Sequence, residues 1–113
     1  MTKSINHRSD CPLSCALDIF GDKWTLLIIR DIGAKNKNTF KDFHASNEGI
    51  STNVLSNRLK RLVEQNIISK RRSNLNKLVF IYELTEKGEE LRPILLTIGE
   101  WGRKNIPNTK PMW

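Results

Sequence analysis

Apolar residues recur at helical spacing through the first half of the chain, alternate briefly, and then return to helical spacing. Leu13, Ala16, Leu17 and Phe20 form the first helical set. The start is expected near Asp10 or Cys11, because Asp is a good N-cap and Pro12 suits a first turn. Gly21 fits a stop just past the end. Asp22 can cap a second helix with Trp24, Leu27, Ile28 and Ile32 on its apolar side and Gly33 ending it, before a turn at AKNKN. Thr39 can cap a short third helix with Phe40 and Phe43 as core residues, and SNEG then reads as a turn. Ser51 is a strong N-cap for a fourth helix, with Ile50 and Leu55 placed for a hydrophobic staple. Val54, Leu55, Leu59, Leu62 and Val63 gather on one side of it. At about 100° per residue, Asn53, Ser56, Asn57, Lys60 and Arg61 fall on the other.

The period then changes. IISKRRS and KLVFIYEL are rich in β-branched and aromatic residues, Phe80, Tyr82 and Leu84 alternate, and SNLNK supplies turn residues, so a hairpin with a basic first strand and tip is expected. Thr85 caps a last helix whose apolar set includes Leu91, Ile94, Leu95, Ile98 and Trp101, with a kink or break near Pro93. The expected fold is mainly α with a small β-hairpin, in the order α-α-α-α-β-β-α: a helix-turn-helix with a wing. Residues 1–9 read as a flexible N-terminal arm, 10–104 as the domain with dimerisation helices at both ends, and 105–113 as a tail.

The length, 113 residues, suits one domain. No apolar run approaches the roughly 20 residues of a membrane span. The opening MTKSINHRSD lacks the apolar stretch of a secretory signal, and two cysteines make no disulfide scaffold, so a cytoplasmic protein is expected. The net charge of +7 is uneven. From Ser51 to Leu78 seven basic residues face one acid, Glu64, whereas Glu86 to Gly102 carries four Glu against Lys87 and Arg92.

A basic stretch of this kind is often just a solvated surface; its place in the element order gives it a use. A helix that reads the major groove needs an apolar back, short polar residues for base edges, and cations for phosphates. The fourth helix supplies all three. Ser51, Thr52, Asn53, Ser56 and Asn57 occupy its first turns, with Lys60 and Arg61 beyond, while Arg58 points nearer the apolar side. In the wing, Lys70, Arg71, Arg72, Asn74, Asn76 and Lys77 are the candidate contacts to backbone or minor groove. One recognition helix reads few base pairs, so a two-fold dimer is expected. Leu13, Leu17, Leu95, Ile98 and Trp101 are its candidate interface, unless Trp101 simply packs within the monomer.

The segment CPLSCALDIFGDKWTLLIIRDI resembles the opening of HxlR-type winged-helix regulators, relatives of the MarR group. The matching positions are Cys11, Pro12, Gly21, Lys23, Trp24, Ile28 and Arg30. TFKDFHASNEGISTNVLSNRLKRLVEQNII, YELTEKGEEL and LRPILLTIGEWG continue the likeness over residues 10–104. Phe43 stands where Leu is common, and Cys15 is not a fixed family feature. The resemblance implies a homodimeric transcription regulator that binds pseudo-palindromic duplex operators and dimerises through its first and last helices. It also implies a sensor role for Cys11, since some members sense electrophiles or oxidants at the Cys-Pro position.

Physical chemistry permits that role, because a thiolate near a helix N-terminus is stabilised and Arg8 is close in sequence. A silent, half-buried Cys11 is the alternative. Cys15, four residues on, is badly oriented for an intrahelical disulfide, and an intersubunit bond is the better pairing if two first helices meet in the dimer. His7, Cys11 and Cys15 share a four-residue spacing, but Pro12 would interrupt the helix such a metal site needs, and neither metal nor cofactor is expected. No triad, P-loop or carboxylate pair suggests an enzyme. The competing function is a winged-helix protein- or RNA-interaction module without operator-specific DNA binding.

Overall fold

A computed structural model describes residues 6–111, in the order α1 Pro12–Phe20, α2 Thr25–Lys35, α3 Phe40–His44, α4 Thr52–Glu64, β1 Ile68–Arg72, β2 Phe80–Leu84, α5 Glu86–Glu89 and α6 Arg92–Asn105. This is the expected winged helix-turn-helix, with the last helix divided in two. The single turn α5 is capped by Thr85, whose Oγ1 accepts from the Gly88 N–H at 3.1 Å. Pro93 lies in the first turn of α6, where it needs no N–H donor, so it starts that helix rather than kinking it. The expected arm lies partly outside the described residues. Of its remainder, His7 Nδ1 lies 3.0 Å from Asp18 Oδ2 and Arg8 Nε donates to Asp18 Oδ1 at 2.7 Å, so this part is tied to α1.

Both ends of α1 fall where expected but are built differently, and the end of α2 falls elsewhere. Cys11, not Asp10, is the N-cap of α1, and no side chain caps that end. Gly21 closes α1 with right-handed backbone (φ −80°), so it is not a left-handed stop. Its smallness matters instead, because a Cβ there would run into the Leu17 carbonyl. Gly33 does not end α2, which continues to Lys35 and stops at Asn36 with φ 52°. A Cβ on Gly33 would lie 3.2 Å from the Leu84 side chain and 3.3 Å from the Arg92 guanidinium, so the missing side chain lets β2 and α6 approach α2. The N-cap position of α2 is Trp24 rather than Asp22, but Asp22 still secures that end, accepting from the N–H groups of Trp24 and Thr25, each at 3.1 Å.

The core gathers where α2, α3, α4, the hairpin and the start of α6 meet. Ile28, Ile29, Phe43, Ile50, Leu55, Leu59, Leu62, Ile68, Tyr82, Leu91 and Leu95 are all buried. Each such Leu or Ile contributes about 1.5–3 kcal/mol. Leu95 therefore belongs to the protomer's core, not to the outward dimer surface. In the hairpin, Ile68 pairs with Leu84 and Arg72 with Phe80. Lys77, Leu78 and Val79 lie in the connecting loop rather than in the second strand.

The turn before α4 is held by a charge network that is buried at Arg30 and Asp31 and reaches solvent at Glu48. Arg30 donates from Nε (3.1 Å) and Nη2 (2.9 Å) to Asp31 Oδ1, and from Nη1 and Nη2 to the two Glu48 carboxylate oxygens, each at 2.9 Å. Ser46 Oγ donates to Asp31 Oδ2 at 2.5 Å. The hydrogen bond from Arg30, against a desolvation cost, lowers the Glu48 carboxyl from 4.5 to about 2. At Asp22, burial pushes the carboxyl up, but hydrogen bonds from Thr25, Arg58 and the Trp24 N–H outweigh it and hold it at about 2. Both carboxylates are easier to protonate unfolded than folded, so the unfolded state gains protons first as pH falls. Stability from these groups is complete above about 4.5 and drains away as pH falls toward about 2. Urea midpoints measured across that window should fall more steeply for the wild type than for Glu48→Gln, and parallel curves would show that Glu48 contributes no linkage.

Candidate nucleic-acid interface

Ser51 Oγ accepts from the Val54 N–H at 3.3 Å, fixing the start of α4. Ile50 and Leu55 sit in the core on either side of that cap, as a hydrophobic staple requires. The apolar side of α4 is thus turned inward, which leaves Ser51, Thr52, Asn53, Ser56, Asn57 and Lys60 exposed. Two arginines of α4 serve the fold. Arg58 Nε donates to Asp22 Oδ2 at 2.8 Å, and its Nη1 donates to Asn57 Oδ1 at 2.5 Å. Arg61, expected on the outward face, is half-buried, and its Nη2 donates to the Asp18 carbonyl at 3.1 Å. It links α4 to α1 rather than standing in the exposed polar row.

The antiparallel register sorts the wing's cations by face. Lys70 and Arg72 share the face that carries Phe80 and Tyr82. Lys70 Nζ lies 4.1 Å and Arg72 Cζ 4.8 Å from the Phe80 ring centroid, a cation–π arrangement that holds both side chains. Lys60 of α4 and Lys70 of β1 both line a cleft of about 340 Å³, together with Phe40, Leu59 and Tyr82. Arg71 points the other way and pairs with Glu83 at 2.9 Å. At the tip, Asn74, Asn76 and Lys77 are exposed, and Asn76 Oδ1 also accepts from the Leu78 N–H at 3.0 Å. Sequence reasoning missed the Phe80 platform and the exposed tip leucines, Leu75 and Leu78. The first could have been found only with the register known.

The apolar residues expected at a partner surface divide. Leu13 and Leu17 on α1, and Ile98 and Trp101 on α6, are exposed, and Ile94 joins them; Leu95 is buried. Trp101 keeps 64% of its surface in solvent, so it does not pack within the protomer. Cys11 is exposed, and the half-buried Cys15 donates its S–H to the Ser9 carbonyl at 3.2 Å. Arg8, close to Cys11 in sequence, is engaged by Asp18. Among the described residues no group of His, Cys, Asp and Glu could hold a metal ion, and no helix is long and apolar enough to cross a membrane.

The chain is similar in sequence and in structure to known regulators. The family model described as HxlR-like helix-turn-helix matches residues 19–110. The chain is 31% identical over 103 residues to the HTH-type transcriptional regulator YvaP of Bacillus subtilis, spanning 90% of this chain and 94% of YvaP. The structure of the transcriptional regulator YodB from B. subtilis in its reduced form aligns at TM-score 0.68 and 27% identity, covering 90% of this chain and 100% of YodB. The redox regulator HypR in its reduced form aligns at TM-score 0.71 and 29% identity, covering 84% of this chain and 93% of HypR.

Proposed function

The chain belongs to the HxlR-like helix-turn-helix family and is a transcriptional regulator, and from that premise we propose that it binds a pseudo-palindromic operator as a cytoplasmic homodimer. The observation that carries this reading is the exposed polar row of α4, Thr52, Asn53, Ser56, Asn57 and Lys60, set beside Lys70 and Arg72 of the wing. In it, α4 enters the major groove, the row meets base edges, and the wing cations meet phosphates. The exposed apolar residues of α1 and α6 form the two-fold contact.

Asn57 is the best-prepared base reader. Arg58 fixes its amide by occupying one lone pair of Oδ1, which leaves a second lone pair and the NH₂ group for adenine. Asn57→Ala is expected to cost about 1–3 kcal/mol of discrimination at one base position while leaving non-specific affinity unchanged. Binding to single-base operator variants checks this, and an unchanged ranking of those variants removes Asn57 from the site.

The reading also includes a thiol input at Cys11, supported by its exposure at the head of α1 and by the likeness to a redox regulator. Fluorescence anisotropy with the gene's own upstream DNA and a scrambled duplex, across a salt series under reducing conditions, tests the whole. Discrimination that persists at moderate salt supports operator reading, whereas equal, steeply salt-sensitive binding leaves only a basic surface. Absence of binding even at low salt favours a protein- or RNA-interaction module. Adding an oxidant should change operator affinity for the wild type and not for Cys11→Ser.

A further inference from the structure

The wing tip is built inside out. The loop between β1 and β2 is closed by Ser73 N–H to the Val79 carbonyl at 2.8 Å and Val79 N–H to the Asn76 carbonyl at 2.9 Å. Ser73 Oγ accepts from the Leu75 N–H at 3.1 Å, Asn76 Oδ1 caps the Leu78 N–H, and Arg72 Nη1 donates to the Lys77 carbonyl at 2.6 Å. The side chains of Arg72, Ser73 and Asn76 bond to the loop's own backbone, and the leucines are held outward: Leu75 is 99% exposed and Leu78 89%. A lone surface leucine is ordinary. Two on one hydrogen-bonded tip, with no described residue covering them, are displayed.

We propose that Leu75, backed by Leu78, is an apolar wedge that the wing inserts into the minor groove of the operator, unstacking a base step and bending the duplex. The inference rests on the DNA-binding reading above. Charge complementarity selects DNA as the occupant. Arg72 and Lys77 flank the leucines, Lys70 lies behind them, and no acidic residue occurs between Glu64 and Glu83. A second copy's tip would meet like charge, whereas phosphates on both sides of a groove would pair with these cations. Apolar wedges of this kind open a base step and kink the duplex by about 20–90°.

Short duplexes recovered from a randomised pool on the wild-type protein, dye-labelled at both ends, provide the test. Wild type should raise end-to-end energy transfer. Leu75→Ser should lose most of that rise and about tenfold in affinity, equivalent to about 1.4 kcal/mol, with its melting curve unchanged. Leu75→Met should keep the bend, because an apolar group of similar size remains. Bending and affinity that are the same in Leu75→Ser as in wild type overturn the wedge while the DNA-binding reading stands. A Leu75→Ser variant that changes the protein's own sedimentation reassigns the tip to a protein contact and also overturns it. Recovery of no duplex removes both.

Discussion

Trp101→Glu is expected to turn the proposed dimer into a monomer. Ile94, Ile98 and Trp101 follow one another at helical spacing along one side of α6, and all three are exposed. Leu95, about 100° around the helix, is buried. The two rows therefore have different partners, one within the protomer and one beyond it. A tryptophan covers about 150–250 Å² when buried, and interface hot spots are enriched in this residue at about 2 kcal/mol or more each. In a two-fold contact each substitution occurs twice, so about 4 kcal/mol, roughly a thousandfold in dimer affinity, is the expected loss. Glutamate adds the cost of desolvating two charges. Sedimentation velocity across a concentration series reads the outcome. An unchanged dimer would mean that α6 faces solvent and that the partner surface lies elsewhere. A monomer should also lose the affinity gained from binding two half-sites at once, which makes operator binding a second, independent reading.

Arg30→Ala should produce the largest loss of fold stability. The Arg30 and Asp31 side chains keep only 9% and 3% of their surface, and Glu48 is half-exposed. Removing the arginine strands Asp31 with the Ser46 hydroxyl as its remaining side-chain donor. Breaking a buried ion pair by deleting one partner typically costs about 3–5 kcal/mol, against a total stability of about 5–15 kcal/mol for a domain. Arg30→Lys should recover only part of this, because an ammonium cannot present the fork that holds Asp31 and both Glu48 oxygens at once. Urea denaturation gives the number, and a loss below about 1 kcal/mol would show that the network is stabilised by solvent instead. The same arginine positions the turn leading into α4. Operator affinity should therefore fall under conditions where Arg30→Ala is still fully folded.

Features set by neighbouring residues were legible in the sequence. The Ser51 cap, the Ile50–Leu55 pair flanking it, the Thr39 and Thr85 caps and the inward row of α4 all follow from residues within one or two turns of each other. Features set by long-range packing were not. Periodicity puts Leu95 and Trp101 in one apolar set, and only the position of α2 decides that one is core and the other surface. Arg61 reads as an outward cation until Asp18 arrives from α1, and the bond that Asn76 Oδ1 accepts from the Leu78 N–H depends on how the loop closes. Lys77, Leu78 and Val79 fit a strand by composition, but the Arg72–Phe80 pairing sets the register and leaves them in the loop. Gly33 reads as punctuation, yet its role is to admit Leu84 and Arg92, residues more than fifty positions away.

No residue of α1 is fully buried. It is attached by ion pairs from the N-terminal segment at Asp18, by half-buried apolar groups, and by the Arg61 bond from α4. Of all the long helices it gives up least when it shifts, and local opening favours elements of that kind. In the proposed dimer this same helix helps set how far apart the two recognition helices stand, a distance that must match one turn of duplex, about 34 Å. The operator's half-site spacing is thus measured with a ruler whose weakest joint is α1, and Cys11 sits at its end.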